Sequence, residues 1–230
     1  MNQKRTYRTF THREALFRIC CNRFDAVTEE IIRQRRILDD YIKCHPAFRY
    51  SFEPIELLDD APEVARRMAR AARLVGVGPM AAVAGAMAQY AAEAGLKAGA
   101  GEAIVENGGD IYLCSAEPVI IALNAGTAKL SNRLAFSLQP SDTPVSICSS
   151  SGKMGHSTSL GKCDLATAVA KDAAIADAAA TQAANLVNSE EDVNVALERI
   201  AAIEGIEGVV IVKNDRVGLA GKLPSLIKIK

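Results

Sequence analysis

The chain has 230 residues, close to the upper size of one ordinary domain, with 27 basic residues against 27 acidic ones. The net charge of zero argues against a protein that holds nucleic acid or an anionic membrane through bulk positive charge. Hydrophobic residues form 49% of the sequence and charged residues 23%, which is not a disordered composition. We therefore predict one globular domain over residues 1–230, or two closely packed lobes, with neither nucleic acid nor a membrane as partner.

The N-terminal residues predict two strands and a long helix. The strands are β-prone segments at residues 7–10 and 16–20, separated by polar residues. The helix opens at Thr28, carries apolar residues at helical spacing, and ends before Pro46 because proline cannot continue a helix.

Two further helices follow an irregular bridge over residues 48–58. Pro62 fits the first turn of one helix, and a break at residues 76–79 separates it from an Ala-rich helix that ends near Gly95. Residues 74–92 carry no charge and reach the length of a membrane span. Their many alanines and glycines have weak transfer energy, so we interpret this segment as a helix buried inside the protein.

Short apolar runs bounded by turn residues make the middle of the chain rich in predicted strands. These runs are residues 103–105, 111–113, 119–122, 134–138 and 145–148. After residues 165–169, the sequence predicts helices over 172–186 and 189–203 and a closing hairpin around Asn214 and Asp215. The predicted class is α+β with a mixed or antiparallel sheet. The Ala-rich helices suit packing within one chain or between two, so a homodimer stays an open alternative.

The cysteines and the N-terminus predict a cytoplasmic protein. Six cysteines form no C-x-x-C pair, and no histidine lies at zinc-ligand spacing. The first eight residues are polar and basic, and no apolar segment of a secretory leader follows them. Free thiols in a reducing compartment are the simplest interpretation.

A glycine pattern at residues 76–81 matches the dinucleotide fingerprint G-x-G-x-x-A. That fingerprint needs a strand before it, because the phosphate sits where a strand turns into a helix. The preceding residues have helical spacing instead, so we reject a Rossmann site here. Gly78 is interpreted as a point of close backbone approach at a break between helices.

Two loops carry polar residues that suit a ligand. Asn107, Gly108, Gly109 and Asp110 lie between two apolar runs, where they predict a tight hairpin whose amides are also able to approach an anion. Residues 149–157 follow the next strand and are rich in hydroxyl groups and glycine. Such a loop either donates N–H and O–H groups to phosphate or is simply a loop. It lacks the order of a P-loop.

Asp177 and Thr181 stand four residues apart in a predicted helix. This spacing places a carboxylate and a hydroxyl on one face, and the surrounding alanines leave room beside them. Two oxygen ligands on a rigid element suit Mg²⁺, which completes its shell with waters and phosphates. The alternative is a solvated aspartate and a threonine bonded to its own helix.

The order of three segments resembles the ApbE-like superfamily, and in particular its cytoplasmic branch, which is not anchored as a lipoprotein. These segments are residues 106–111, 148–157 and 169–181, and residues 45–48 also resemble that branch. The resemblance covers most of the chain. It implies the ApbE-like fold, in which Ala-rich helices pack on mixed or antiparallel sheets.

The flavin transferases of this superfamily hold Mg²⁺ with an aspartate and a threonine four residues later, on the pyrophosphate of FAD. FMN then passes to a threonine or serine hydroxyl of an acceptor protein. Asp177 and Thr181 match those two places, and by order along the chain the region around Gly78 would supply a backbone carbonyl as third ligand. The resemblance therefore implies Mg²⁺, FAD or another flavin or nucleotide, and a protein acceptor.

The chain also departs from the flavin transferases at two places. They carry an acidic residue and a lysine around the Gly-rich helix start, and residues 74–92 contain neither. Their His-x-x-Asp-Pro-x-Thr-Gly segment is reduced here to residues 155–161, without Asp or Pro.

Three functional hypotheses stay open on this basis. The first is a Mg²⁺-dependent enzyme acting on FAD or another nucleotide, with the metal on Asp177 and Thr181 and His156 as acid or base. Its ligand contacts would be Gly78, Asn107, Gly108, Gly109, Asp110, Ser149, Ser150, Ser151 and Gly152. The second is a non-catalytic flavin or nucleotide-binding protein.

The third hypothesis is an accessory protein of sulfur assimilation and homocysteine formation, a role to which the cytoplasmic branch is linked. It would use Cys148 as a thiolate, with its pKa lowered by Lys153 and His156. The alternative is a buried cysteine that acts as a small hydrophobic residue.

Overall fold

The computed structural model describes residues 5–125, 134–152 and 161–229. The described residues form six helices: α1 (Phe24–Cys44), α2 (Ala47–Tyr50), α3 (Glu63–Val75), α4 (Val83–Lys97), α5 (Ala173–Leu186) and α6 (Asp192–Ala201). They also form eleven strands: β1 (Arg8–His12), β2 (Ala15–Cys21), β3 (Ala103–Asn107), β4 (Asp110–Cys114), β5 (Val119–Leu123), β6 (Leu134–Leu138), β7 (Val145–Ser150), β8 (Leu165–Ala170), β9 (Ile206–Lys213), β10 (Arg216–Gly221) and β11 (Ser225–Lys228).

The strands form two sheets in which the neighbouring strands pair antiparallel. The larger sheet has the order β1-β2-β3-β4-β7-β8-β9-β10, and the smaller has the order β11-β6-β5. In the larger sheet Ile111 of β4 pairs with Ile147 of β7, and Cys148 of β7 pairs with Ala168 of β8. These pairings confirm the predicted α+β class.

Two cores lie on the two faces of the larger sheet. Helices cover one face, where alanines of α4 and α5 pack on side chains such as Val105, Ala166 and Ile211. The smaller sheet covers the other face, where Phe136 packs with Ile104 and Val210. Small alanine side chains let the helix axes approach the sheet closely, which explains how a chain with 5% aromatic residues fills its interior.

Several element boundaries differ from the sequence prediction. Helix α1 begins at Phe24 rather than Thr28, because the Phe24 ring lies 3.5 Å from the guanidinium of Arg8 and Val27 is buried. This contact with the first hairpin adds a turn of helix. Residues 48–58 were predicted to be irregular, and α2 occupies their first residues.

The C-terminal part shows two more differences. Helix α6 begins at Asp192, because the Asp192 carboxylate accepts the backbone N–H groups of Asn188 and Ser189 and so keeps these residues outside the helix. Strand β11 was not predicted at all. It pairs with β6, for example Leu226 with Phe136, and this partner lies far away along the chain.

No single helix of the described ranges is long and apolar enough to cross a membrane. Helix α3 and the segment Pro79–Lys97 pass that test only as a pair, by length and composition, and they bend by 105° at their break.

Candidate functional site

Asp177 lies on the face of α5 that meets the start of α4. The Gly85 N–H donates to Oδ2 of Asp177 over 2.8 Å, and the backbone of Ala84 is a second donor. The aspartate is only 8% exposed. Because the first N–H groups of a helix have no partner within the helix, a carboxylate there is held in a fixed orientation.

Gly85 makes this approach of two helices physically feasible. A Cβ at this position would lie 2.2 Å from the Ala173 carbonyl oxygen and 2.9 Å from Cβ of Asp177. Any larger side chain would therefore push α4 away from α5. The glycine in an otherwise Ala-rich helix is explained by close packing.

The hairpin between β3 and β4 brings a second carboxyl group to the same place. Gly108 and Gly109 take left-handed backbone conformations, with φ of 67° and 114°, and form the predicted turn. Asp110 follows the turn and accepts the Ser149 N–H over 3.3 Å. Asn107 donates its side-chain amide to the Ala84 carbonyl over 3.3 Å, which ties the hairpin to the start of α4.

The two carboxyl groups are buried and close enough to influence each other. Burial raises the pKa of Asp110 to about 7, and burial together with the charge of Asp110 raises the pKa of Asp177 well above its usual range. Among the residues described, no lysine, arginine or histidine pairs with either carboxylate. Ionisation of both carboxyl groups would therefore place two negative charges together with no cationic side chain of the described residues beside them, a condition that a divalent metal ion relieves.

The neighbouring donors are hard oxygen atoms that fit Mg²⁺. Thr181 lies one helical turn after Asp177 and is 9% exposed. Ser150 shares a face of β7 with Cys148, the face covered by α5, and its buried Oγ has no hydrogen-bond partner within the described part of the chain. That part contains no group of three His, Cys, Asp or Glu side chains able to hold a metal. Hydroxyl groups, water and ligand phosphate would therefore complete the shell, as is usual for Mg²⁺.

Cys148 lies beneath this site, but not as an activated nucleophile. Its side chain is fully buried and its Sγ donates to the Ala173 carbonyl over 3.6 Å. Burial, followed by the charges of Asp110 and Asp177, raises the pKa of the thiol well above its usual range. The expectation of a lowered pKa is therefore wrong, and the alternative of a small buried hydrophobic residue describes Cys148 better.

The structure does not bring every predicted ligand residue to Asp177. Strand alternation turns the Ser149 side chain to the opposite sheet face, where its hydroxyl bonds with Thr167 over 2.9 Å. Ser151 is buried, and Gly152 donates its N–H to the Cys163 carbonyl, at the end of β7. His156 and Lys153 lie outside the described residues.

Gly78 makes its close backbone contact with Ser51. A Cβ at Gly78 would lie 1.8 Å from the Ser51 carbonyl oxygen, and the Gly78 carbonyl accepts the Ala81 N–H. The expected close backbone approach is therefore real, but it is made with the loop after α2. Ala84 and Gly85 are the residues that contact Asp177, and sequence analysis missed both of them. The one available signal was an isolated glycine inside an Ala-rich helix.

A family model and two related proteins each match most of this chain. The family model described as "AbpE bacteria" matches residues 12–216. The UPF0280 protein of Methanosarcina acetivorans is 39% identical over 205 residues, 89% of this chain and 81% of that protein. The UPF0280 protein of Archaeoglobus fulgidus is 42% identical over 209 residues, 88% of this chain and 85% of that protein.

Solved structures show the same fold. The flavin transferase ApbE from Vibrio cholerae matches with a TM-score of 0.62 and 12% identity, over 94% of this chain and 96% of that one. The apo flavinyl transferase ApbE of Pseudomonas stutzeri matches with a TM-score of 0.58 and 11% identity, over 94% of each chain. At these identities the similarity establishes the fold and leaves the reaction to be argued from the site.

Proposed function

Because the chain belongs to the AbpE bacteria family, we propose that it binds Mg²⁺ together with the pyrophosphate of a flavin or related nucleotide, with FAD as the first ligand to test. One observation carries this proposal: Asp110 and Asp177 are buried side by side without a cationic partner among the described residues, next to the hydroxyl of Thr181. The similarity to flavin transferases makes transfer of a flavin nucleotide to a protein acceptor the leading reaction class.

The residues of the site divide into those that would hold the metal and those that orient them. Asp177 and Thr181 would hold Mg²⁺, whose charge offsets the negative charge on pyrophosphate oxygens. Gly85 and Ala84 fix the Asp177 carboxylate through their N–H groups. Asn107 fixes the hairpin that carries Asp110, and the Ser150 hydroxyl, which has no hydrogen-bond partner among the described residues, would donate to a phosphate oxygen.

A second candidate, binding of the nucleotide without transfer, is favoured by the start of α4. From Gly78 to Gly85 this segment contains no charged side chain. The carboxylate that meets the helix start comes from α5 instead. A site without a cationic side chain at this point has fewer groups to stabilise charge on a departing nucleotide.

Calorimetric titration with FAD, with and without Mg²⁺, tests the binding step. We expect binding that requires Mg²⁺ and that Asp177→Asn weakens at least tenfold, because the amide loses the ligand charge but keeps the size. Asp40→Asn, an exposed change on α1, is the matched control and should leave binding unchanged. FAD binding that is independent of Mg²⁺, or equal in Asp177→Asn, would contradict the proposal.

Mass analysis of the same mixtures separates the two candidates. Release of AMP by wild-type protein, with none from Asp177→Asn, indicates transfer or hydrolysis. The same mixtures are also tested with a peptide that carries serine and threonine hydroxyl groups, because FMN transfer needs an acceptor. Mg²⁺-dependent binding of FAD without AMP in either mixture indicates the non-catalytic candidate.

A further inference from the structure

A cleft of about 350 Å³ lies on the outer face of α3, and its lining differs from that of the candidate site. Glu63, Arg66, Arg67 and Arg70 of α3 and Tyr90 of α4 line it, and we call it the arginine cleft. From its geometry we propose that the arginine cleft binds the phosphate group of a small ligand.

The sequence of α3 places its arginines together. Arg66 and Arg70 lie four residues apart, and Arg67 lies beside them, so all three guanidinium groups leave the same side of the helix. The other side of α3, which includes Val64 and Met68, is buried in the core. A protein with zero net charge thus concentrates positive charge on one short surface helix.

Arg66 has its position fixed without having its charge neutralised. Its Nε donates to the Ala61 carbonyl over 2.7 Å, and its Nη2 donates to the Asp59 carbonyl over 2.9 Å. Both acceptors are neutral backbone groups. The guanidinium is therefore preorganised, with donors left over, and it forms no ion pair with a carboxylate of the described residues.

Arg67 and Arg70 share one carboxylate. Oδ2 of Asp172 accepts from Arg67 over 3.2 Å and from Arg70 over 2.8 Å. The Arg67 guanidinium also lies 5.0 Å from the centre of the Tyr90 ring, and the Arg67 side chain is only 16% exposed. Glu93 is a second carboxylate near Arg67, so Asp172 and Glu93 together offset much of the charge of these two arginines. Arg66 is the guanidinium of the cleft that has no carboxylate partner among the described residues.

The remaining carboxylates define which anion fits. Glu93 lies 4.0 Å from Arg67, and Glu63 lines the cleft. A ligand with a single negative charge would compete poorly with these groups, whereas a phosphate dianion carries more charge and accepts paired N–H donors from planar guanidinium groups. The cleft shares no residue with the site around Asp177, so the inference is independent of the proposed function.

Calorimetry with inorganic phosphate at low ionic strength tests the cleft directly. We expect saturable binding at one site, weakened at least tenfold in Arg66→Gln. The matched control Arg199→Gln, an exposed arginine on α6, should change the affinity less than twofold. Lack of saturable binding by wild-type protein, or equal weakening by both variants, would overturn the proposal.

A second variant distinguishes a ligand site from a set of structural ion pairs. Asp172→Asn keeps a side-chain oxygen to cap α5 but removes the carboxylate that competes for Arg67 and Arg70. We expect it to bind phosphate several-fold more tightly. Unchanged or weaker phosphate binding in a folded Asp172→Asn protein would contradict the proposal that the arginine cleft binds phosphate.

Two further titrations identify the source of the phosphate and the place of binding. AMP that binds more tightly than inorganic phosphate, and loses affinity in Arg66→Gln, supports a nucleotide phosphate; equal affinities support free phosphate in the same cleft. Asp177→Asn should bind phosphate as the wild type does. Loss of phosphate binding in Asp177→Asn would place the anion at the candidate metal site and overturn the proposal.

Discussion

Asp110 and Asp177 show how two residues far apart in the sequence acquire unusual proton affinity. Asp110 follows a tight turn and Asp177 lies in a helix, and neither has a described cationic partner. Removal of a carboxylate from water favours its neutral form, and a neighbouring carboxylate adds to this effect. The pair is therefore costly to ionise in the metal-free protein.

In metal-free protein, the stability that protonated Asp110 contributes should be lost as the pH rises. Burial raises the pKa of Asp110 from 3.8 to about 7, so between these values the folded chain binds more protons than the unfolded chain. The contribution of Asp110 to the free energy of unfolding is therefore fully present below about pH 4 and is lost towards pH 7, by an amount on the order of a few kcal/mol. Urea unfolding in EDTA from pH 5 to pH 8 measures this slope.

Two comparisons accompany that experiment. Asp110→Asn should flatten the pH slope, because an amide does not titrate. Mg²⁺ should restore stability at pH 8 in the wild type. A slope that is the same in the wild type and in Asp110→Asn would show that another group is responsible.

Gly85→Ala should destabilise the protein and weaken Mg²⁺-dependent binding. The new Cβ would lie 2.2 Å from the Ala173 carbonyl oxygen, so α4 and α5 must separate at the point where Asp177 accepts its N–H bond. We expect a loss of about 1–3 kcal/mol in chemical unfolding. Gly101→Ala is the control, because its Cβ would meet nothing within 4 Å. Equal stability of the two variants would contradict the packing argument.

At the scale of elements, polar contacts join the N-terminus of α5 to side chains in the middle of α3 and α4. Asp172 caps α5 through the Ala174 and Ile175 N–H groups and binds two arginines of α3. Gln89 of α4 accepts the Ala173 N–H over 2.8 Å. These contacts fix the N-terminus of α5, the helix that carries Asp177 and Thr181.

Removal of the Asp172 side chain should loosen this junction. Asp172→Ala loses the helix cap and both ion pairs, so we expect about 1–3 kcal/mol less stability in urea unfolding. As a control, Asp60→Ala changes an exposed residue in the loop before α3, and its free energy of unfolding should stay within about 0.5 kcal/mol of wild type. A loss no larger than that of Asp60→Ala would show that the junction is held by apolar packing alone.

For the whole molecule, stability should be highest where both faces of the large sheet are covered. All residues of β8 are buried, between helices on one side and the small sheet on the other. Strand β11 lies at the edge of the small sheet and its residues are half-buried or exposed. Local opening therefore costs much more in β8 than in β11.

Hydrogen exchange followed by mass spectrometry measures this difference. Amides of β8 should exchange at least about a hundredfold more slowly than those of β11, because β8 opens only with the core. Mg²⁺ with FAD should slow exchange further at the start of α4 and not in β11. Similar exchange rates in β8 and β11 would contradict this order of stability.

The local sequence determined most elements, because helix periodicity, turn residues and proline act over a few positions. Gly108 and Gly109 predicted their hairpin, and Asp177 and Thr181 predicted one helical face. Only the tertiary structure decided which loops meet that face. It brought Gly85 and Asp110 to Asp177, left Gly78 against Ser51, turned the Ser149 hydroxyl away and buried the Cys148 thiol. The physical reason is that packing between distant segments sets contact, burial and charge, and these are absent from local spacing.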